Sequence, residues 1–246
     1  MAAPLISAAL LERLAGAQHV LALTGAGISA ESGVPTFRDA QTGPWAKYRA
    51  EDLATPEAFT ANPRLVWDWY EWRRQLVAQA EPNPGHHALV TLQRRLPRFT
   101  LVTQNVDGLH ARAGSRAVVE LHGSIAQNLC FAEGTPVDEP APGDSVPPLC
   151  PDCGAFLRPG VVWFGESLPP QALQRAEEAA QTCDIVLSIG TSSLVHPAAG
   201  LPLLAKRHGA YVVEVNPTST PLTPHADLVL AGPAGLVLPE LVRLLW

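Results

Sequence analysis

A chain of 246 residues, 47% hydrophobic and 16% charged, is long enough for one large core with a small appended module and too apolar for disorder. Its formal net charge of -6 argues against nucleic acid as a partner, because a phosphate backbone is gripped by clustered Lys and Arg; basic peptides are tolerated or attracted. No apolar run reaches the ~20 residues of a membrane span, and residues 1–18 lack a basic leader with a cleavage site, so a cytoplasmic protein with no membrane partner is expected.

The amino terminus has an amphipathic helical pattern through Leu5, Leu10, Leu11 and Leu14. Short apolar runs follow at residues 19–23, 99–102, 118–121, 185–189, 211–215 and 228–230. Near-continuous Val/Ile/Leu runs of this length suit a parallel sheet buried on both faces. Helical patterns fall between them, at 86–95, 170–181, 198–208 and 239–244. The alternation predicts an α/β fold with a doubly wound, Rossmann-like parallel sheet. Two stretches break the rhythm. Residues 39–80 are Trp-rich and read as helical, especially 63–80, whereas 123–159 are rich in Pro, Gly and Cys and lack good periodicity. The expected organisation is a Rossmann-like domain of residues 1–38, 81–122 and 160–246. A smaller domain, of residues 39–80 and 123–159, would combine the helical insertion with a Cys-containing, zinc-type module. Within it, 134–148 reads as a mobile loop.

Directly after the first strand, Gly25, Gly27 and Ala30 match a G-x-G-x-x-[G/A] turn. Gly25 permits the tight turn, Gly27 lets amides approach a pyrophosphate, and Ala30 permits close helix–strand packing. A bland glycine turn is equally compatible with these three residues alone. Glu51 and Asp52 lie at ribose-binding distance along the chain, but in the helical insertion rather than at a strand's end, which disfavours an ordinary dehydrogenase half.

Cys150-Pro151-Asp152-Cys153 is a C-x-x-C knuckle, and structural zinc sites usually pair two of them. The upstream partner is Cys130-Phe131-Ala132-Glu133, so Glu133 stands where a fourth thiolate is expected. Cys130, Cys150 and Cys153 can form a zinc site completed by Glu133, Asp152 or water; a loop that folds without metal is the alternative. Cys183 heads an apolar run and reads as a small core residue. On the Trp-rich helix, Tyr70 and Arg73 stand at i and i+3, so phenol and guanidinium share one face. A fork of N–H donors beside a phenol suits a carboxylate, although the same pair can also decorate an exposed helix.

The run Gly25-Ala26-Gly27-Ile28-Ser29-Ala30-Glu31-Ser32-Gly33-Val34-Pro35-Thr36-Phe37-Arg38 closely resembles the sirtuin signature. Four sirtuin-like blocks follow in order: Thr103-Gln104-Asn105-Val106-Asp107-Gly108-Leu109-His110, Glu120-Leu121-His122-Gly123, Val161-Val162-Trp163-Phe164-Gly165-Glu166 and Gly190-Thr191-Ser192-Ser193-Leu194-Val195-His196-Pro197-Ala198. The resemblance spans roughly residues 20–230 and implies NAD as co-substrate with acyl-lysine proteins or peptides as substrates. It gives Gly25, Ala26, Gly27, Ser29 and Gly190 to the cofactor. Asn105 and Asp107 would line the nicotinamide pocket, and Gln104 would contact the ribose. Phe37 and Arg38 would cover the reactive sugar carbon, while Thr191, Ser192 and Asn216 would bind the adenosine half. Val161, Trp163, Phe164 and Gly165 would hold the acyl-lysine.

His122 is the implied base, with an imidazole that takes a proton near neutral pH. In sirtuins the acyl oxygen attacks the ribose carbon and expels nicotinamide; the histidine then deprotonates a ribose hydroxyl, which attacks the imidate. His86, His87, His110, His196 and His225 read as structural or surface residues. The zinc would be structural, since the driving force comes from NAD. Tyr70 with Arg73, beside Asp52-Leu53-Ala54-Thr55-Pro56, resembles class III (desuccinylase-type) sirtuins, with small Ala54 widening the acyl pocket. The implied function is an NAD-dependent lysine deacylase (desuccinylase, demalonylase and deacetylase) yielding lysine, nicotinamide and O-acyl-ADP-ribose. A plain deacetylase, an ADP-ribosyltransferase and a non-catalytic NAD-binding scaffold remain open, and their products tell them apart.

Overall fold

The computed structural model describes residues 6–36 and 45–246. Six strands, β1 (His19–Thr24), β2 (Arg98–Thr103), β3 (Val119–Glu120), β6 (Ile185–Ile189), β7 (Tyr211–Asn216) and β8 (Leu228–Ala231), form a parallel sheet in the order β3-β2-β1-β6-β7-β8. The chain moves outward from β1 to β3 and then returns to the far side of β1. The direction of winding therefore switches between β1 and β6, where an open α/β sheet leaves a crevice at its carboxyl edge.

All six residues of β1 are buried, and they divide between two cores. Val20 and Ala22 pack with Leu10 and Leu14 of α1 (Ala8–Gly16), Leu89 and Leu92 of α6 (Pro84–Arg95), and Val237 and Leu241 of α10 (Ala234–Leu245). Leu21 and Leu23 face Ala176, Ala179 and Ala180 of α8 (Pro170–Thr182) and Leu201 and Ala205 of α9 (Leu201–Arg207). Alternation along one strand thus serves helices on both faces. Each strand run in the sequence becomes a strand within a residue or so at either end.

Three sequence expectations need correction. Pro239 reads as the start of a helix, yet α10 begins at Ala234 and carries Pro239 inside it. A buried face of Ala234, Val237, Leu238 and Leu241 outweighs the hydrogen bond the proline cannot make. The helix expected over 198–208 divides into a 3-10 turn, Ala198–Gly200, and α9, whose first turn holds Pro202 where a missing N–H does no harm. Residues 123–159 lack periodicity but contain β4 (Gly123–Cys130), antiparallel to β5 (Leu157–Val161). A register shift between Gly123 and Asn128 erases the two-residue alternation by which a strand is recognised.

The Trp-rich stretch forms α3 (Ala50–Leu53), α4 (Pro56–Ala61) and α5 (Pro63–Gln79). Asn62 caps α5 by accepting Leu65 N–H at 3.1 Å, with Pro63 following it. Trp69 and Tyr70 of α5 enter a third core with Phe59, Ile125, Val161 and Trp163. Trp67 packs against Cys130, Val137, Cys150 and Leu157. Arg74 donates to the carbonyls of Ile125 at 2.6 Å and Gln127 at 3.0 Å and to Asn128 Oδ1 at 2.7 Å, fastening α5 to β4. The helical insertion and the Cys-containing module therefore share apolar cores. Among the described residues no helix is long and apolar enough to cross a membrane.

Candidate functional site

The crevice at the switch point is floored by the loops that leave β1 and β6. Gly25 N–H donates to Ile189 O at 3.0 Å, and Gly27 N–H to Gly190 O at 2.8 Å. A Cβ on Gly27 would sit 2.7 Å from Gly190 Cα, and Gly190 itself has φ +58°. Both positions thus require glycine. Besides the pyrophosphate role expected of it, Gly27 commits its amide and its missing side chain to Gly190. Ala30, expected to pack closely, is exposed at the end of α2 (Ala26–Ala30).

Thr191, Gln104 and Asn216 come together at this edge. Asn216 Nδ2 donates to Thr191 O at 2.8 Å, Gln104 Nε2 lies 3.4 Å from Thr191 Oγ1, and that hydroxyl accepts Ser193 N–H at 3.0 Å. Ser192 is exposed beside them, and Ala26 is half-buried. Behind β2, Ser29 links the two residues expected at the nicotinamide. Its Oγ accepts from Asn105 Nδ2 at 3.0 Å and donates to Asp107 Oδ2 at 2.7 Å. Asn105 and Asp107 each keep 8% exposure. Burial pushes the Asp107 carboxyl above its ordinary pKa, against the opposing pull of Leu109 N–H, Ser29, Arg73 and Arg112. Phe37 and Arg38 lie outside the described residues.

His122 follows β3 and joins this crevice to a second wall. Its Nδ1 is 2.9 Å from Gln104 O; a carbonyl only accepts, so Nδ1 carries the proton and Nε2 keeps its lone pair. Burial lowers the imidazole's pKa below 6.5, partly opposed by the Gln104 bond. The His122 carbonyl accepts Val162 N–H at 2.9 Å. Gly123, with φ +73°, leaves no room for a side chain against the Gly160 carbonyl.

The second wall comprises Val161–Gly165, Ala54 and α5. Ala54 is buried at 3% exposure, and its carbonyl accepts Phe164 N–H at 2.9 Å. Tyr70, at 4% exposure, accepts from Trp163 Nε1 at 3.0 Å, so it does not merely decorate a helix. Arg73 is half-buried, with its guanidinium carbon 5.0 Å from the centre of the Trp69 ring. Burial lowers its pKa, opposed by Tyr70 and Asp107. Arg73 thus feels both the phenol and the carboxylate of the neighbouring crevice. Val161 and Trp163 are buried, while Phe164 and Gly165 are exposed.

The family model described as Sir2 family matches residues 25–197. The chain belongs to the Sir2 family. It is 54% identical over 244 residues to the NAD-dependent protein deacylase of Methylococcus capsulatus (strain ATCC 33009 / NCIMB 11132 / Bath), covering 96% of each chain. It is also similar to a solved Sir2 homolog–NAD complex (47% identity, TM-score 0.92, 100% of this chain and 96% of that one). A Sir2–p53 peptide–NAD+ structure is more distant, at 31% identity and TM-score 0.84, with 97% and 96% covered.

In this Sir2 chain the sulfur atoms of Cys130, Cys150 and Cys153 lie within 4.8 Å of one another. Two knuckles with one hydrogen-bonding pattern bring them there. Gly134 and Gly154 donate to the carbonyls of Cys130 and Cys150, while Cys130 and Cys150 N–H donate to Thr135 O and Ala155 O. Gly134 and Gly154 also share positive φ, +69° and +73°. By this correspondence Glu133 occupies in the first knuckle the place that Cys153 holds in the second. Burial acts to raise the Cys130 pKa, but N–H groups of Glu133 and Ala132 and the neighbouring thiols carry it downward. Three converging thiols with amides aimed at one sulfur fit a zinc ion. The Glu133 side chain is exposed and outside the close thiol group. Cys183 is buried as expected, although it caps α8 rather than lying within β6.

Two of the histidines read as structural or surface residues, His86 and His110, are buried and serve the structure. His86 Nδ1 accepts Asn83 N–H at 3.3 Å as part of the α6 cap, and His110 Nε2 lies 2.9 Å from Thr24 Oγ1. Their rings stand 4.9 Å apart, and His86 Nε2 and His110 Nδ1 have no hydrogen-bond partner. Burial lowers their pKa values to about 4 and about 3, with a smaller contribution from neighbouring histidine charge. Below pH ~6.5 the unfolded chain binds protons that the folded chain refuses, so stability falls with pH. Each histidine adds up to ~1.4 kcal/mol of destabilisation per pH unit, levelling off near its folded pKa. Denaturant melts from pH 7 to 4.5 should show this loss, reduced in His86→Gln; a flat profile would contradict it.

Proposed function

We propose that the chain is an NAD-dependent protein lysine deacylase that favours acidic acyl groups, succinyl and malonyl, and also removes acetyl. The observation that carries the reading is the double attachment of His122. Its imidazole is bonded to Gln104 in the cofactor crevice, and its backbone to Val162 in the second wall. One proton acceptor thus stands between a dinucleotide site and a substrate strand. The Sir2 relatives named as NAD-dependent protein deacylases and the Sir2 structures with NAD and peptide support the deacylase part of this reading.

NAD would supply a ribose carbon with a good leaving group. Gly25, Ala26, Gly27, Ser29, Gln104, Gly190, Thr191, Ser192 and Asn216 would hold it, with Asn105 and Asp107 at the nicotinamide amide. The Ser29 hydroxyl fixes Asn105 and Asp107 relative to each other before any ligand arrives. His122 Nε2 would take the proton of a ribose hydroxyl, and the Gln104 carbonyl would steady the resulting imidazolium. Val161–Gly165 would present the acyl-lysine of a protein or peptide. Arg73 and Tyr70 would meet a terminal carboxylate, with small Ala54 leaving space for the longer chain. Nicotinamide release should depend on an acylated peptide; release at equal rate with unmodified peptide, or none with any peptide, would exclude a deacylase.

On this reading the chain would divide into a Rossmann-like NAD-binding domain, residues 1–38, 81–122 and 160–246, and a smaller one, residues 39–80 and 123–159. The smaller domain would hold one structural zinc through Cys130, Cys150 and Cys153, with no part in the chemistry. Elemental analysis of chelator-free protein should find about one zinc per chain, lost in Cys150→Ser and Cys153→Ser. Glu133→Cys should retain zinc against a chelator that strips the parent. Zinc-free protein with unaltered melting in Cys150→Ser would make the cysteines packing residues.

A further inference from the structure

We infer that Trp163 sets acyl selectivity by fixing the direction of the Tyr70 hydroxyl, and that Arg158 and Glu166 are positioning residues that hold Trp163 for this purpose. The inference rests on the reading of Tyr70 and Arg73 as the acidic-acyl pair. The indole N–H of Trp163 donates to Tyr70 Oη at 3.0 Å. Indole can only donate, so the phenol oxygen is the acceptor in this bond and its own O–H turns elsewhere. A carboxylate lying beside Arg73 accepts that hydrogen. Without the indole donor the phenol O–H is no longer pre-set towards the carboxylate nor polarised by a donor on its oxygen, so the bond it makes there is weaker. Burial raises the Tyr70 pKa to about 12, so the phenol remains a donor at working pH.

Trp163 has little freedom to turn away. It is 2% exposed and packs against Phe59 and Phe131 at centroid distances of 5.4 and 6.4 Å. The Arg158 guanidinium carbon lies 3.4 Å from the centre of its ring. The same guanidinium is forked onto both carboxylate oxygens of Glu166 and donates to Val161 O at 2.8 Å. Glu166 Oε2 also accepts the Trp163 backbone N–H at 2.7 Å. One ion pair therefore holds the ring face and the main chain of one residue. Arg158 is only 7% exposed, and an ion pair this buried is tolerated when further hydrogen bonds serve its donors; here Val161 O and Pro159 O accept from it as well. No sequence pattern marks Arg158; Glu166 sits in a family-like block but carries no assigned role there.

The test measures kcat/KM on acetyl- and succinyl-lysine peptides for the parent, Trp163→Phe, Tyr70→Phe and the double variant. Phenylalanine keeps an aromatic ring and removes the donor. Trp163→Phe should lose roughly fivefold to tenfold more on succinyl than on acetyl, as expected for one hydrogen bond. In the Tyr70→Phe background it should change the ratio no further. Glu166→Gln, measured with its melting temperature, should shift the ratio the same way by a smaller factor, and it serves if Trp163→Phe fails to fold. An unchanged succinyl-to-acetyl ratio in these variants, or independent multiplication of the Trp163 and Tyr70 effects, would overturn the inference alone. A parent enzyme with no preference would overturn the acidic-acyl reading and this inference together.

Discussion

Replacing His122 with alanine should lower deacylation about 10²–10⁴-fold, the usual cost of removing a general base. The fold should survive. His122 is half-buried, and its side chain contributes one hydrogen bond, to Gln104 O at 2.9 Å, whose loss costs ~1 kcal/mol. That bond also fixes the tautomer, leaving Nε2 as the basic nitrogen. Burial holds the imidazole's pKa below 6.5, so it is neutral and ready to accept a proton at pH 7. The rate should accordingly climb with pH on the acid side, through an apparent pKa under the ordinary histidine value, and be level near neutrality. His122→Ala with near-parental turnover and unchanged melting would remove it from the chemistry.

Arg73→Met should depress desuccinylation ten- to a hundredfold more than deacetylation, because charge-assisted bonds of ~1.5–3 kcal/mol reach only the longer, anionic acyl group. Tyr70→Phe should act in the same direction more mildly. Some loss on both substrates is also expected. Arg73 helps restrain the raised pKa of Asp107, so its removal disturbs the cofactor side as well. The difference between substrates isolates the reading of the carboxylate. Equal losses would mean that Arg73 and Tyr70 maintain the shape of the pocket, and the protein would be a general deacetylase.

The parts of this molecule legible in its sequence are those in which one residue's neighbours lie near it in the chain. Val20–Leu23 read as a doubly buried strand because both faces of β1 are covered. The blocks around Gly25, Asn105, His122 and Gly190 read as one site through their resemblance to the sirtuin signature, and in the structure each follows a strand at the same edge of the sheet. Tyr70 and Arg73 were legible as a pair through helical spacing, although only the structure places Tyr70 in a core. What escaped depends on distant partners. Gly27 serves Gly190, across the boundary between β1 and β6. Arg158 acquires its role from Glu166 and Trp163 after β5 turns. The β4–β5 pairing is hidden by a register shift, and Pro239 misleads because tertiary burial outweighs local propensity.

The most direct measurement places acetyl- and succinyl-lysine forms of one peptide together with NAD and the protein, and follows every species by mass spectrometry. The succinyl peptide should disappear first, matched mole for mole by free-lysine peptide, nicotinamide and a succinylated ADP-ribose. Consumption of acetyl peptide at an equal or greater rate would contradict the acyl preference, and ADP-ribose appearing on protein in place of deacylated peptide would contradict the deacylase itself.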